Sequence, residues 1–373
     1  MSLVWRLGGA TALTVMSFSM ASPVLAVLLQ QAGHGSALIG AFSMLPFLWI
    51  GLMIPVVPRV IARFGVVRTY RGGAALQLLG VLGYALGDDL ALWTLGSTIC
   101  GIGAAFLWNA TETLLTQEAP PEMRGRVMGL YQTALGAALA IGPFLPALLQ
   151  LDARRALWLA TFLVASCLVL AARARSRLAP TPPHGPHGTW QALKLVPWLA
   201  AMAFAGGVFE AGLSAITAAH ASASGMNLRL ATSVAGAIGV GSFLCQYPAG
   251  WLADHFDLRK VCTAAAVVLA VSSVGIGFAA QAPWLLWVCG LVWGGVGGAL
   301  YTLSIIQVAH EFDGRATAGG AAAMITGYTW GGTVGPLGSG SVLEAAGVVG
   351  LAALLLSMAL AALAAARCIR TAA

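Results

Sequence analysis

Residues 246–279 read QYPAGWLADHFDLRKVCTAAAVVLAVSSVGIGFA, and this stretch decides the fold. From Val261 to Ala279 it carries no charge. As a helix rising about 1.5 Å per residue, that run reaches roughly 28 Å, close to the roughly 30 Å of a bilayer's hydrocarbon core. Just before it, Gly250 to Lys260 gathers Asp254, His255, Asp257, Arg259 and Lys260 into one short turn. An apolar run joined to a compact charged loop belongs to a chain that crosses lipid and turns in water.

The same alternation extends in both directions. Twelve apolar segments follow one another at 7–29, 37–57, 72–87, 90–115, 127–150, 156–172, 195–219, 231–252, 261–279, 284–309, 316–343 and 349–366. Of 373 residues 59% are hydrophobic and 8% charged, against roughly 25% charged in soluble domains, which excludes a soluble globular protein. Segments of about 20 residues also exclude a transmembrane β-barrel, whose strands alternate over about 10. The fold class expected is all-α integral membrane, with twelve transmembrane helices. The first run is too long for a signal peptide and is read as the first helix.

The net charge of +7 would suit nucleic acid only if it lay on a folded basic face. Here the basic residues sit between apolar runs and report topology. With both termini cytoplasmic, 16 of the 19 Lys and Arg fall inside, leaving Arg154, Arg155 and Arg229 outside. The six cysteines are scattered singly, so neither a disulfide framework nor a zinc site is expected. His184 and His187, separated by Gly185 and Pro186, read as solvated linker and not as a metal pair. No cofactor is expected.

The longest polar stretch, 173–194, holds four prolines and is expected to lack regular helix. It is a cytoplasmic linker dividing a bundle at 1–172 from one at 195–373, six segments each. The two parts repeat weakly: PRVIARFGVVR at Pro58–Arg68 recurs in position as GWLADHFDLRK at Gly250–Lys260, and Gly142-Pro143 recurs as Gly335-Pro336. Two pseudo-symmetric six-helix halves with a site near the midplane are a common build of secondary transporters.

Gly250, Leu252, Ala253, Asp254, Arg259 and Lys260 match the pattern Gly-x-Leu-Ala-Asp-x-x-Gly-x-(Arg/Lys)-(Arg/Lys). On these residues, the two-part symmetry and the Gly-Pro pairs, the chain resembles the major facilitator superfamily, and bacterial members of unassigned substrate look closer still. Asp257 replaces the pattern's second Gly; Asp tolerates left-handed backbone better than most residues, so the turn is expected to keep that shape. The resemblance implies a secondary transporter working by alternating access. A carboxylate in such a loop can sit on a helix N-terminus, so Gly250, Asp254, Arg259, Lys260 and Arg126 are a candidate gating set, with Asp254 docking at the start of the fifth helix by Arg126 while the cytoplasmic gate is shut; a plain topology signal is the alternative. The Gly-Pro pairs resemble an element that family members, often antiporters, carry in the fifth helix, which leans slightly toward efflux; tight helix packing is the alternative. Where members often have an Arg in the fourth helix, four residues before a Gly-x-Gly, this chain has Ser97.

Two acids lie well inside the segments, Glu112 and Glu210. A charge there is costly, so each is a candidate proton-coupling or substrate group; for Glu112 a structural pairing with a loop Arg is an equal alternative. Trp108, Asn109, Tyr131, Gln132, Phe209, Tyr301, Tyr328 and Trp330 are candidate lining of a substrate cavity, each with helix packing as the bland alternative. Trp93, Trp158 and Trp284, near segment ends, read as interface anchors. No Lys or Arg lies well inside a segment, which disfavours strong anions and favours a neutral, lipophilic or cationic organic molecule.

The partners expected are a small-molecule substrate, protons and the lipid bilayer, with no nucleic acid, for a monomer in a bacterial inner membrane. A proton-coupled uptake symporter and a non-transporting sensor are the alternatives. An enzyme would need a polar catalytic cluster at one depth, and the sequence offers none.

Overall fold

The computed structural model describes residues 2–118, 124–172, 187–312 and 315–369, and omits the side chains of residues 2–5, 116–118, 124–126, 187–190, 309–310 and 315–318. Among the described residues there are helices and no strand. In chain order these are α1 (Ser2–Gln31), α2 (Ser36–Met53), α3 (Val57–Phe64), α4 (Val66–Leu86), α5 (Leu90–Glu118), α6 (Arg124–Ile141), α7 (Leu145–Leu148), α8 (Ala153–Ala172), α9 (His187–Leu195), α10 (Pro197–Glu210), α11 (Ser214–Ala223), α12 (Leu228–His255), α13 (Leu258–Gly275), α14 (Leu285–Glu311) and α15 (Arg315–Arg367).

Each of the twelve apolar segments is helical. Among the described residues ten stretches are long and apolar enough to cross a bilayer, and one of them, Gly319–Arg367, has 49 residues. Gly347 divides it: with φ 63 and ψ −163 it leaves helical geometry and separates the eleventh segment from the twelfth. Helix α4 has the length but is diluted by Arg68, Thr69, Arg71 and Gln77. It begins at Val66, earlier than the sequence suggests, because an apolar-run criterion discounts its arginine-bearing first turns.

The expected absence of helix in the linker is corrected at one end. Residues 173–186 lie outside the described residues, but His187–Leu195 is helical. All four prolines precede His187, so none removes a donor from this helix. Trp93 is also corrected: it is buried, and its Nε1 donates to the Gly87 carbonyl at 2.8 Å.

The chain forms two compact units, Met1–Val24 with Leu45–His184, and Leu25–Met44 with Gly185–Ala373. In the first, α4 and α5 pack backbone to backbone. A Cβ on Gly73 would lie 2.7 Å from the Gly103 oxygen, and one on Gly96 would lie 2.8 Å from the Gly80 oxygen. Lipid gives helices no hydrophobic reason to associate, so such contacts carry the packing. Polar side chains tie further helices to this pair. Thr11 of α1 bonds Thr111 of α5 at 2.9 Å and Tyr70 of α4 at 3.2 Å, and Tyr70 lies 3.3 Å from Cys167 of α8. Arg6 and Arg71 donate to the carbonyls of Leu170, Ala171 and Ala172, placing positive charge at the C-terminus of α8, where the helix dipole favours it.

In the second unit α10 lies against α15 and α12 against α14 through the same device. A Cβ on Gly331 would meet the Val208 nitrogen at 2.9 Å, and one on Gly241 would meet the Gly295 nitrogen at 2.9 Å. Leu25–Met44 groups here because a Cβ on Gly340 would already be 3.1 Å from the Gly40 Cα.

Gly103→Ala is expected to lower the thermal unfolding temperature of the detergent-solubilised protein, corresponding to overpacking of about 1–3 kcal/mol. Gly72→Ala, where an added Cβ meets nothing within 4 Å, is expected to leave it unchanged.

Candidate functional site

The seventh segment is not one helix. Helix α10 ends at Glu210 and α11 begins at Ser214, with the amides of Ala211 and Gly212 both bonded back to the Gly207 carbonyl at 3.0 Å. Glu210 therefore stands at a break, where irregular backbone at membrane depth is tolerated when protein buries it or a cavity solvates it. Three other helices converge on its half-buried carboxylate. Ser242 of α12 donates to Oε1, Tyr328 of α15 donates to Oε2 at 3.0 Å, and Gly298 of α14 backs the group. A Cβ on Gly298 would lie 3.0 Å from both carboxylate oxygens. The rings of Tyr301 and Tyr328 sit 4.7 Å apart at a tilt of 47°.

Among the described residues no Lys, Arg or His forms an ion pair with Glu210. Its charge is met by two neutral hydroxyls, a compensation that a proton or a cationic ligand would complete. Ser242, Gly298 and the break itself were not singled out from the sequence. The only local signals were Gly212 just after Glu210 and the run Gly294-Gly295-Val296-Gly297-Gly298.

Two candidates do not join this cluster. Phe209 is fully buried, its Cβ against Gly297, which gives it a packing role. Trp330 is 41% exposed, and lying two residues beyond Tyr328 it faces another side of the helix.

In the first unit, Trp108, Asn109 and Glu112 share α5 while Tyr131 and Gln132 lie on α6. Glu112 and Gln132 are exposed and Tyr131 is buried. The Asn109 amide donates to the Ala105 carbonyl of its own helix at 2.8 Å. The Trp108 indole N–H is buried with no acceptor among the described residues. Ser97 bonds the Tyr84 hydroxyl at 3.0 Å and is buried.

The charged loops differ between the units. At the junction of α3 and α4, Gly65 has φ 83 and ψ 155, a region essentially closed to other residues. Its positional equivalent Asp257 does not adopt left-handed backbone, which corrects the expected turn. With φ −55 it caps α13, its side chain accepting from the Lys260 amide at 3.2 Å. A side chain able to satisfy an orphan amide replaces the glycine's conformational freedom. Asp254, Arg259 and Lys260 are exposed and Gly250 is half-buried. Arg126 lies in α6, and its side chain is outside the described residues.

A further polar set, absent from the sequence expectations, lies at the turn end of the α1–α2 hairpin. The Ser222 hydroxyl of α11 donates to Gln30 Oε1 at 2.8 Å, and Glu344 Oε2 of α15 accepts from the Ala37 amide at 2.8 Å. That carboxylate sits on the N-terminus of α2, which attracts negative charge.

Tyr328→Phe and Ser242→Ala are each expected to destabilise the protein by about 1–3 kcal/mol, because each removes a donor from a carboxylate that stays in place. Thermal unfolding in detergent measures this, and Gly298→Ala should move it in the same direction.

The sequence model of the Major Facilitator Superfamily matches residues 7–245. An uncharacterized MFS-type transporter of Bacillus subtilis (strain 168), YfkF, is 24% identical over 303 residues, covering 78% of this chain and 75% of its own. Among solved structures, a variant of the nucleoside transporter NupG superposes with a TM-score of 0.81 at 12% identity over 98% of both chains. A D-xylose-proton symporter superposes with a TM-score of 0.70 at 14% identity over 96% of both. These likenesses establish the fold. With twelve apolar helical segments, the charged loop after α12 and a family match over more than half its length, this chain belongs to the Major Facilitator Superfamily and is a multi-pass membrane transporter.

Proposed function

We propose that the protein is a proton-coupled secondary transporter and not an enzyme, exporting a small neutral, lipophilic or cationic organic molecule by alternating access between two six-helix halves. The observation that carries this reading is the Glu210 carboxylate at the break between α10 and α11, held by Ser242 and Tyr328 with no cationic partner among the described residues. A carboxyl so placed gains most from whatever neutralises it, so proton and cationic substrate compete for one group. Tyr301 and Tyr328 offer aromatic faces that suit a cation or a flat apolar body. Glu112 and Gln132 offer exposed polar groups in the first unit, and the buried indole N–H of Trp108 is a donor that a rearrangement during transport would bring to the substrate.

Asp254, with Gly250, Arg259 and Lys260, forms the cytoplasmic gate in this reading, docking by Arg126 at the start of α6 when the cavity faces outward. The Gln30–Ser222 and Glu344–Ala37 bonds serve the opposite side. The positive-inside pattern supports cytoplasmic termini in a bacterial inner membrane, and the monomer is taken as the working unit. The Gly-Pro pairs at Gly142-Pro143 and Gly335-Pro336 support export.

Purified protein in proteoliposomes with a lumenal pH dye, challenged with lipophilic cations, neutral drugs, sugars and organic acids, tests the reading. A substrate added outside is expected to make the lumen more alkaline, and Glu210→Gln is expected to abolish that response, with Glu112→Gln run beside it. Acidification would convert the assignment to uptake by symport. Binding without proton movement in the wild type would sink coupling and favour a sensor.

Asp254→Asn is expected to slow substrate exchange several-fold while leaving equilibrium binding in place. An unchanged rate would remove Asp254 from the gate.

A further inference from the structure

The sequence from Val57 to Gly87 contains Arg59, Arg63, Arg68 and Arg71 and no acidic residue. Its first helix, α3, is amphipathic at single-turn resolution. Val57, Val60, Ile61 and Phe64 recur at the spacing of one helix face, while Arg59 and Arg63, four apart, share another. Gly65 then turns the chain into α4 through its positive φ. Between α3, α4 and α5 this leaves a groove of about 260 Å³ lined by Val60, Phe64, Arg68, Gly72, Leu76 and Phe106. Apart from Arg68 and Thr69, whose hydroxyl donates to the Gly65 carbonyl at 3.0 Å, the walls are apolar, and Phe64 remains 50% exposed at the groove. A Cβ at Gly72 would meet nothing within 4 Å, so the groove is open there, whereas neighbouring Gly73 lies against α5.

The arginines divide by role. Arg71 is committed to the carbonyls ending α8. Among the described residues no carboxylate forms an ion pair with Arg59, Arg63 or Arg68, and the guanidinium of Arg63 lies 5.4 Å from the Phe64 ring centre. The positive-inside pattern puts this edge at the cytoplasmic leaflet, where anionic lipids reside. An apolar slot with an arginine in its wall and two more on the adjoining helix complements one kind of molecule: acyl chain below, phosphodiester above.

We propose that this groove is a binding site for an anionic diacyl phospholipid, one acyl chain lying against Leu76 and Phe106 and the phosphodiester held by Arg68 within the field of Arg59 and Arg63. The site belongs to the first unit and is separate from the Glu210 cluster, so it stands whatever the transported substrate proves to be. A lipid bound there would seat α3, the short helix of the first charged loop.

Native mass spectrometry of the full chain, equilibrated with equal amounts of phosphatidylglycerol and phosphatidylcholine of the same acyl chains, tests the site. Phosphatidylglycerol is expected to be retained about fivefold over phosphatidylcholine, the ratio expected for one basic residue near the headgroup. Arg68→Gln is expected to erase that preference, and Gly72→Phe, which fills the slot, to remove the retained lipid of either kind. Both positions are exposed, so wild-type unfolding temperatures are expected and separate lipid loss from misfolding. Equal retention of the two lipids by the wild type, or a preference that survives both substitutions, would overturn the proposal.

Discussion

Hydrocarbon offers no partner to a backbone amide or carbonyl, and the rest of this structure follows from that constraint. It makes every crossing segment a helix, and it makes the few places where a helix stops informative. At Gly142–Phe144 the chain changes to a turn of 3₁₀ helix beside Pro143, and at residues 211–213 it leaves helix between Glu210 and Ser214. The second break coincides with a carboxylate. Two costly features at one depth are better satisfied together, because the helices that close around loose backbone also bring hydroxyls to the acid.

Close approach is what lets those helices come near enough. Between α10 and α15 the glycines Gly207, Gly331 and Gly335 remove the side chains that would hold the backbones apart. Tyr328 can then reach Glu210 from α15. The same economy appears at Gly298, where the missing Cβ is the space that the carboxylate occupies. Packing and chemistry are thus not separable here, since a methyl group on one helix displaces the acid on another.

The two charged loops show one position filled by two different physical solutions. Gly65 uses a backbone conformation that only glycine adopts easily, whereas Asp257 keeps negative φ and closes its helix with a side-chain oxygen. The amphipathic α3 has no counterpart before Asp257, where α12 runs on unbroken to His255. The two charged loops therefore differ by a helix as well as by a turn, and the groove with Arg68 in its wall lies beside the extra helix, α3.

By itself the sequence determined the membrane class, the twelve apolar segments, their order and the family, because hydropathy, charge placement and the Gly-x-Leu-Ala-Asp loop are all local along the chain. It also singled out Glu112 and Glu210, since an acid inside an apolar run is visible without any partner. Only the tertiary structure decided which residues share a site. Ser242, Gly298 and Tyr328 are ordinary within their own helices and meet Glu210 only because α10, α12, α14 and α15 pack together. The same holds where the structure departs from the sequence expectation or selects between its alternatives: Phe209 is one residue from Glu210 yet faces the core, Trp93 is near a segment end yet buried, and Asp257 holds a glycine's place yet caps a helix. Orientation around a helix and the partner across it are set by packing, and no periodicity in a chain this uniformly apolar records them.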